Sequence, residues 1–238
     1  MDYFFVDPKD IHGRVALLRG EEFRHLSRVV RKKEGERIML VDGDDNSYEA
    51  VIRDMDRTHA ECEIVDTRRG ANEPRVEITL AVSLLRNPAR FDVLVEKTTE
   101  LGVRTIDPLL CERTIPKSEK HSRLEKIALS ALKQSGRSYL PRILPLTEFE
   151  SLMNESREYS LRLIPHEKTE QSQFVGSVLQ HHANLKSVLI VIGPEGGFSD
   201  HEVAKAGENG FVPISLGPRR LRAETAAISA VSWVVGGW

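Results

Sequence analysis

The chain has 238 residues, 40% of them hydrophobic and 29% charged, with a formal net charge of −2. It is long enough to bury a core without disulfides or metal and too hydrophobic to be disordered. It is too close to neutral for bulk charge to mark a nucleic-acid binder, so any such function must rest on local clustering.

The first residues, Asp2-Tyr3-Phe4-Phe5-Val6-Asp7, lack the basic start and long apolar stretch of a signal peptide. No uncharged run is long enough to span a bilayer. A cytoplasmic protein with no membrane association is the expectation. Residues 21–30 predict a helix whose basic side chains Arg24, Arg28 and Arg31, four and three apart, share one face. Leu26, Val29 and Val30 are expected to turn towards a core. Such a stripe suits RNA phosphates, with a merely solvated face as the alternative. Short strands follow at Arg37–Val41, 47–53 and 59–65, separated by Asp-rich turns, which reads as a small β-barrel or sandwich. Residues 66–74 are polar and without period, the pattern of a linker. Beyond it, strands at 76–85, Thr105–Leu110, 161–164 and 188–192 alternate with helical patterns at 91–101 and 124–134. That alternation predicts an α/β domain with a mainly parallel sheet. Cys62 and Cys111 fit no zinc spacing and are expected to be buried thiols, and no metal site is expected.

Two segments carry chemistry. In the first, the apolar run Leu189-Ile190-Val191-Ile192 enters the turn Gly193-Pro194-Glu195-Gly196-Gly197-Phe198, and Ser199 and Glu202 then form a capping box. Adjacent glycines let a ligand approach the backbone closely, and such loops beyond strand ends are where open α/β sheets bind ligands. A tight strand-to-helix turn is the plainer reading. The turn is neither a dinucleotide nor a Walker loop, and Glu195 would repel a phosphate, so a neutral or cationic ligand fits better. In the second, Leu216-Gly217-Pro218 is followed by Arg219, Arg220 and Arg222, then by a helix apolar on nearly every face through Trp233 and Val235. Such a helix is buried in a core or a subunit interface. There is no nucleophile elbow, zincin motif or kinase signature.

These two segments together resemble the signature of the ribosomal RNA small subunit methyltransferase E family. These are 16S rRNA uridine-N3 methyltransferases of the SPOUT (trefoil-knot) superfamily. Lys97-Thr98-Thr99-Glu100-Leu101-Gly102-Val103, Gln134-Ser135-Gly136-Arg137 with Leu140-Pro141, and His25-Leu26-Ser27-Arg28-Val29-Val30-Arg31 resemble further family stretches, in order along nearly the whole chain. Two positions depart from the pattern: Arg220 stands where the family usually has Ile, and Ala223 where it often has Thr.

The resemblance implies a PUA-like RNA-binding β-barrel at residues 1–70 and a SPOUT α/β-knot domain at 75–238, working as a homodimer on 16S rRNA of the small ribosomal subunit. It implies S-adenosylmethionine bound by Leu163, Pro165 and His166, by Gly193, Glu195, Gly196 and Gly197, and by Leu216, Gly217, Leu221, Arg222 and Thr225. Arg222 is the candidate to stabilise charge on the target base, and Glu224 a second candidate, as proton acceptor. Two other classes remain: a non-catalytic RNA-binding protein that keeps the knot for dimerisation, and an α/β enzyme using the glycine-rich turn for a nucleotide. The latter needs a Lys in that turn or a ligand set of known metal spacing beside it, and the sequence has no Lys in residues 193–199 and no such spacing.

Overall fold

The computed structural model describes residues 2–167, 169, 173–182 and 185–236. The chain divides into two compact units, Met1–Glu73 with Leu129–Leu140, and Pro74–Ala128 with Pro141–Trp238.

The first unit is built on β1 (Tyr3–Phe5), β2 (Ile11–His12), β3 (Val15–Arg19), β4 (Arg37–Val41), β5 (Asn46–Met55) and β6 (His59–Arg69). They form one sheet in the order β1-β4-β5-β6-β3-β2, so the two stacked sheets of a sandwich are not present among the described residues. Only β1 runs parallel to its neighbour β4. Alternate residues point inward: Ile38 and Leu40, Ala50 and Ile52, Ala60, Cys62 and Ile64 meet Phe4, Leu18, Phe23 and Leu26 in one core.

Two expectations change here. Residues 66–69 are not linker but the end of β6, paired in register from Glu49↔Asp66 to Asn46↔Arg69, beyond an irregularity at Glu49/Ala50. Their side chains are all exposed. The ladder is made by backbone groups, so it leaves no apolar period to read. The helix at 21–30 is also not uniformly α. It begins as α1 (Gly20–Arg24) and continues as a π-helical turn over His25–Val30 that ends at Arg31 with φ 60°. Leu26 is buried and Val30 packs on the core, but Val29 is 69% exposed. The wider i→i+5 winding carries Val29 off the face that α-helical spacing predicts.

The end of a helix at His121–Ser135 and the turn after it also belong to the first unit. Asn72 Nδ2 donates to the Gly136 carbonyl (2.8 Å), and the Arg137 guanidinium closes on the Glu73 carboxylate (2.6 Å). Gly136 has φ 68°, and a Cβ there would stand 2.8 Å from the Tyr3 ring, so no other residue fits this turn.

The second unit contains β7 (Glu77–Ser83), α2 (Pro88–Glu100), β8 (Thr105–Leu110), α3 (His121–Ser135), β9 (Arg142–Ile143), β10 (Thr147–Glu148), α4 (Phe149–Glu155), β11 (Leu161–Pro165), α5 (Val175–Gln180), β12 (Ser187–Ile192), α6 (Asp200–Glu208), β13 (Val212–Ile214) and α7 (Ala223–Gly236), with α3 leaving for the first unit. Its sheet runs β10-β8-β7-β12-β11-β13, with β9 beside β8, and every pair is parallel. The expected parallel α/β domain is therefore present. Its central strands read as continuous apolar runs because helices cover both faces; Leu189, Ile190 and Val191 of β12 have no solvent exposure. On α7, Ala227, Ala230, Val231 and Val234 are buried, whereas Trp233 keeps 42% exposure and stands edge-on to Phe174. Burial of this helix within the chain is thus one-sided. Among the described residues no helix is long and apolar enough to cross a membrane.

Candidate cofactor cleft

Because the strands are parallel, β12, β11 and β13 present their carboxyl ends at the same edge of the sheet, and the three loops leaving them meet there. They enclose a cleft of about 520 Å3, a size suited to a small-molecule ligand. Pro165 and His166 from β11, Gly193, Glu195, Gly196 and Gly197 from β12, and Leu216, Gly217, Leu221 and Arg222 from β13 all line it. Residues far apart in sequence are thus brought together. Leu163, Glu224 and Thr225 are not among the lining residues. Leu163 is fully buried in β11, two residues before the loop, and Thr225 is exposed on α7.

The glycine-rich loop is a built turn. Gly197 N–H donates to the Pro194 carbonyl (2.8 Å), and Gly197 has φ 67°. The capping box read from the sequence is present: Ser199 Oγ accepts from Glu202 N–H, and the Glu202 carboxylate accepts from Ser199 N–H (2.8 Å). A Cβ on Gly196 would make only ordinary contact with Arg113, at 3.4 Å. The packing of the chain therefore does not itself require a glycine at this position.

The arginines at the rim differ in their partners. Arg220 reaches Glu167 across the cleft (3.7 Å), with both side chains well exposed, so the pair adds little stability. Arg222 is exposed, and its side chain has no hydrogen-bond or ion-pair partner among the described residues. Glu224 faces Arg90 (Oε1 to Nε 3.7 Å), while its Oε2 is buried without a hydrogen-bond partner. Sequence reasoning missed both Arg90 and Arg113, which line the same cleft from the segments after β7 and β8. No glycine pattern or spacing points to either.

The composition of the cleft fits S-adenosylmethionine. Bare backbone at Gly196 can approach a flat adenine, the carboxylates of Glu167 and Glu195 suit a sulfonium, and the arginines suit an α-carboxylate. The buried Cys111 thiol is pushed up to about 12 by burial, with the Glu202 charge adding to the effect; Cys62 is likewise pushed up to about 12 by burial. Both cysteines are free and buried. Among the described residues no group of three or more His, Cys, Asp or Glu could hold a metal ion.

Residues 72–235 match the RNA methyltransferase domain family, and residues 18–65 the RNA methyltransferase PUA domain. The chain belongs to the ribosomal RNA small subunit methyltransferase E family. Relatives of that name include the protein of Synechocystis sp., 31% identical over 96% of this chain and 75% of its own length, and that of Aquifex aeolicus, 32% identical over 92% of this chain and 93% of its own. The crystal structure of the Neisseria gonorrhoeae family member bound to S-adenosylmethionine has a TM-score of 0.87 with this chain at 30% identity, covering 100% of this chain and 98% of that one. A Legionella pneumophila methyltransferase in complex with the same cofactor has a TM-score of 0.82 at 30% identity, covering 97% and 95%. The family supplies the function class that the cleft alone leaves open.

Arg24, Arg28 and Arg31 all lie exposed in the first unit. Arg24 and Arg28 lie one turn apart, whereas Arg31 sits beyond the helix in left-handed backbone. Arg24 is drawn towards Glu21 (3.9 Å) and the Gly20 carbonyl (3.4 Å).

Proposed function

We propose that this chain transfers a methyl group from S-adenosylmethionine to N3 of a uridine in 16S rRNA of the small ribosomal subunit. In this reading it works in the cytoplasm as a homodimer, with residues 1–70 binding RNA and residues 75–238 carrying the cleft. The observation that carries the reading is the meeting, at one sheet edge, of a glycine-rich loop, the carboxylates of Glu167 and Glu195, and an arginine, Arg222, without a side-chain partner among the described residues. When bound, the cofactor supplies a methyl group already activated by its positive sulfur. The chain then has two tasks, to hold the base in line and to make its nitrogen nucleophilic. The uridine imide N3 is protonated at neutral pH and attacks only as that proton leaves. The developing negative charge spreads onto the flanking carbonyl oxygens. Arg222 stabilises it, because its guanidinium is permanently charged and no carboxylate among the described residues occupies it. Glu224 ranks second, as proton acceptor, with one oxygen still unpartnered. The exposed Trp233 on α7 is the feature that favours a second copy on that face.

Mass spectrometry of 16S rRNA nucleosides from cells with and without the gene tests the activity. Loss of a single N3-methyluridine is expected, and an unchanged nucleoside profile overturns the proposal. Gly196→Val tests the cleft by calorimetry. Its side chain makes only ordinary contacts with its own fold at Cβ, so a folded variant with unchanged S-adenosylmethionine affinity removes this loop from the site. Sedimentation showing an active monomer at micromolar concentration removes the dimer.

A further inference from the structure

The glycine-rich loop is pinned by its buried Pro194 and Phe198 and by the Gly197 N–H bond to the Pro194 carbonyl, but Gly196 and Gly197 between them have no side chains to pack. Neighbours supply further order there. On one side, Arg86 N–H donates to Glu195 Oε1 (3.0 Å). On the other, Arg113 Nη1 donates to the carbonyls of both Gly196 (2.8 Å) and Phe198 (3.2 Å). Arg113 is itself held at both flanks. Glu112 N–H donates to Glu202 Oε1 (2.9 Å), the carboxylate that also caps α6. Thr114 Oγ1 accepts from Cys111 N–H (2.8 Å) and pairs with Ser83 Oγ (2.7 Å), and Ser83, Cys111 and Thr114 are all buried. The base of the arginine is thus anchored to β7, β8 and α6 while its guanidinium spans the turn.

We propose that Arg113 is a positioning residue for the cofactor loop: by binding the Gly196 and Phe198 carbonyls it sets their peptide planes before the cofactor arrives. This deepens the methyltransferase reading and rests on it. The N–H groups of the same two peptides, at Gly197 and Ser199, already donate to the Pro194 carbonyl and the Glu202 carboxylate, so Arg113 braces from the carbonyl side peptide planes that are held on the other. A loop ordered beforehand loses less conformational freedom on binding, and the gain is seen as cofactor affinity. Arg113 does this through the loop rather than by touching the reacting atoms. Lysine is a poor substitute, because one compact ammonium cannot reproduce the planar fork of donors.

The test is calorimetry with S-adenosylmethionine on the full chain, together with steady-state kinetics in each substrate. Arg113→Ala is expected to weaken cofactor binding at least about fivefold and to raise the cofactor KM by a similar factor. At saturating cofactor, kcat should be largely retained, and the KM for RNA and its salt dependence should not change. Arg113→Lys is expected to fall between wild type and Arg113→Ala. A folded Arg113→Ala variant with wild-type cofactor affinity overturns the proposal, even if its melting temperature drops. So does a loss confined to RNA affinity and its salt slope, which would make Arg113 a phosphate contact. If the Ala variant does not fold, a folded Lys variant with full affinity overturns it equally, and one with reduced affinity supports it. Wild-type protein that binds no S-adenosylmethionine overturns the cofactor reading and this inference together, whereas a binding wild type with an indifferent Arg113→Ala overturns this inference alone.

Discussion

Arg137 in the first unit and Arg222 in the second both sit in short motifs shared with the family, and in the sequence nothing separates their roles. In the fold they are opposites. Arg137 is 1% exposed and closed on Glu73, which also accepts from Ser138 N–H and Tyr139 N–H (both 3.0 Å). Arg222 is exposed on the rim of the cleft with no partner among the described residues. A buried arginine whose charge is already matched can do little but hold structure. An arginine without a partner keeps its charge for something that arrives from outside.

The sharpest way to break this contrast is to remove each side chain in turn. Arg137→Ala leaves the Glu73 carboxylate buried and uncompensated, and breaking such a pair costs about 3–5 kcal/mol. Denaturant unfolding should register that loss, while the variant that remains folded should methylate at the wild-type rate. A selective fall in turnover without a loss of stability would reverse the roles.

Arg222→Ala should do the opposite, leaving stability nearly untouched and lowering turnover by roughly 10², far more than it lowers cofactor affinity. Part of that rate should return as pH rises, because solvent then removes the imide proton that the lost charge no longer helps to release. A single-turnover profile parallel to wild type, with only a small loss, removes Arg222 from the mechanism.

Asp107 extends the comparison to a buried carboxyl with no cation paired to it among the described residues. It lies in β8 at 3% exposure, with Oδ1 lacking a hydrogen-bond partner. Burial pushes its carboxyl up to about 6, against the opposing hydrogen bond from Thr147 and with the charge of Glu155 adding to the rise. The folded state therefore holds this proton more tightly than the unfolded state does. Its contribution to stability is fully present below about pH 4 and is lost as pH rises through about 6, amounting to at most about 3 kcal/mol. Asp107→Asn should flatten this part of the pH–stability curve, and an unchanged slope between pH 4 and 6 would contradict it.

The smallest expected effect belongs to the exposed stripe. Each of Arg24, Arg28 and Arg31 that contacts a phosphate should lower the salt slope of RNA binding by about 0.7 on single strands, with cofactor binding unchanged. The left-handed conformation of Arg31, beyond the helix, makes it the position where the effect should be weakest. A triple Ala variant with the wild-type slope would mark the stripe as a solvated face.

Much of the cleft was legible because its signals are local. The apolar run of β12, the paired glycines and the capping box follow one another in the sequence, and the structure contains each of them. What escaped notice lacked a local signal. The polar end of β6 is paired through its backbone, the π-helical turn shifts Val29 without changing composition, and Arg113 reaches its loop from 83 residues away in sequence.

By itself the sequence determined which segments alternate strand with helix, where the ligand turn lies and to which family the chain belongs. Hydrophobic period, glycine placement and capping residues act over a few neighbours and so are written in order. Tertiary structure alone decided which charges are satisfied. Whether an arginine meets a carboxylate, a carbonyl or only solvent depends on which strand ends come together in space. Glu73 lies 64 residues from Arg137, while Arg222 meets no such partner among the described residues.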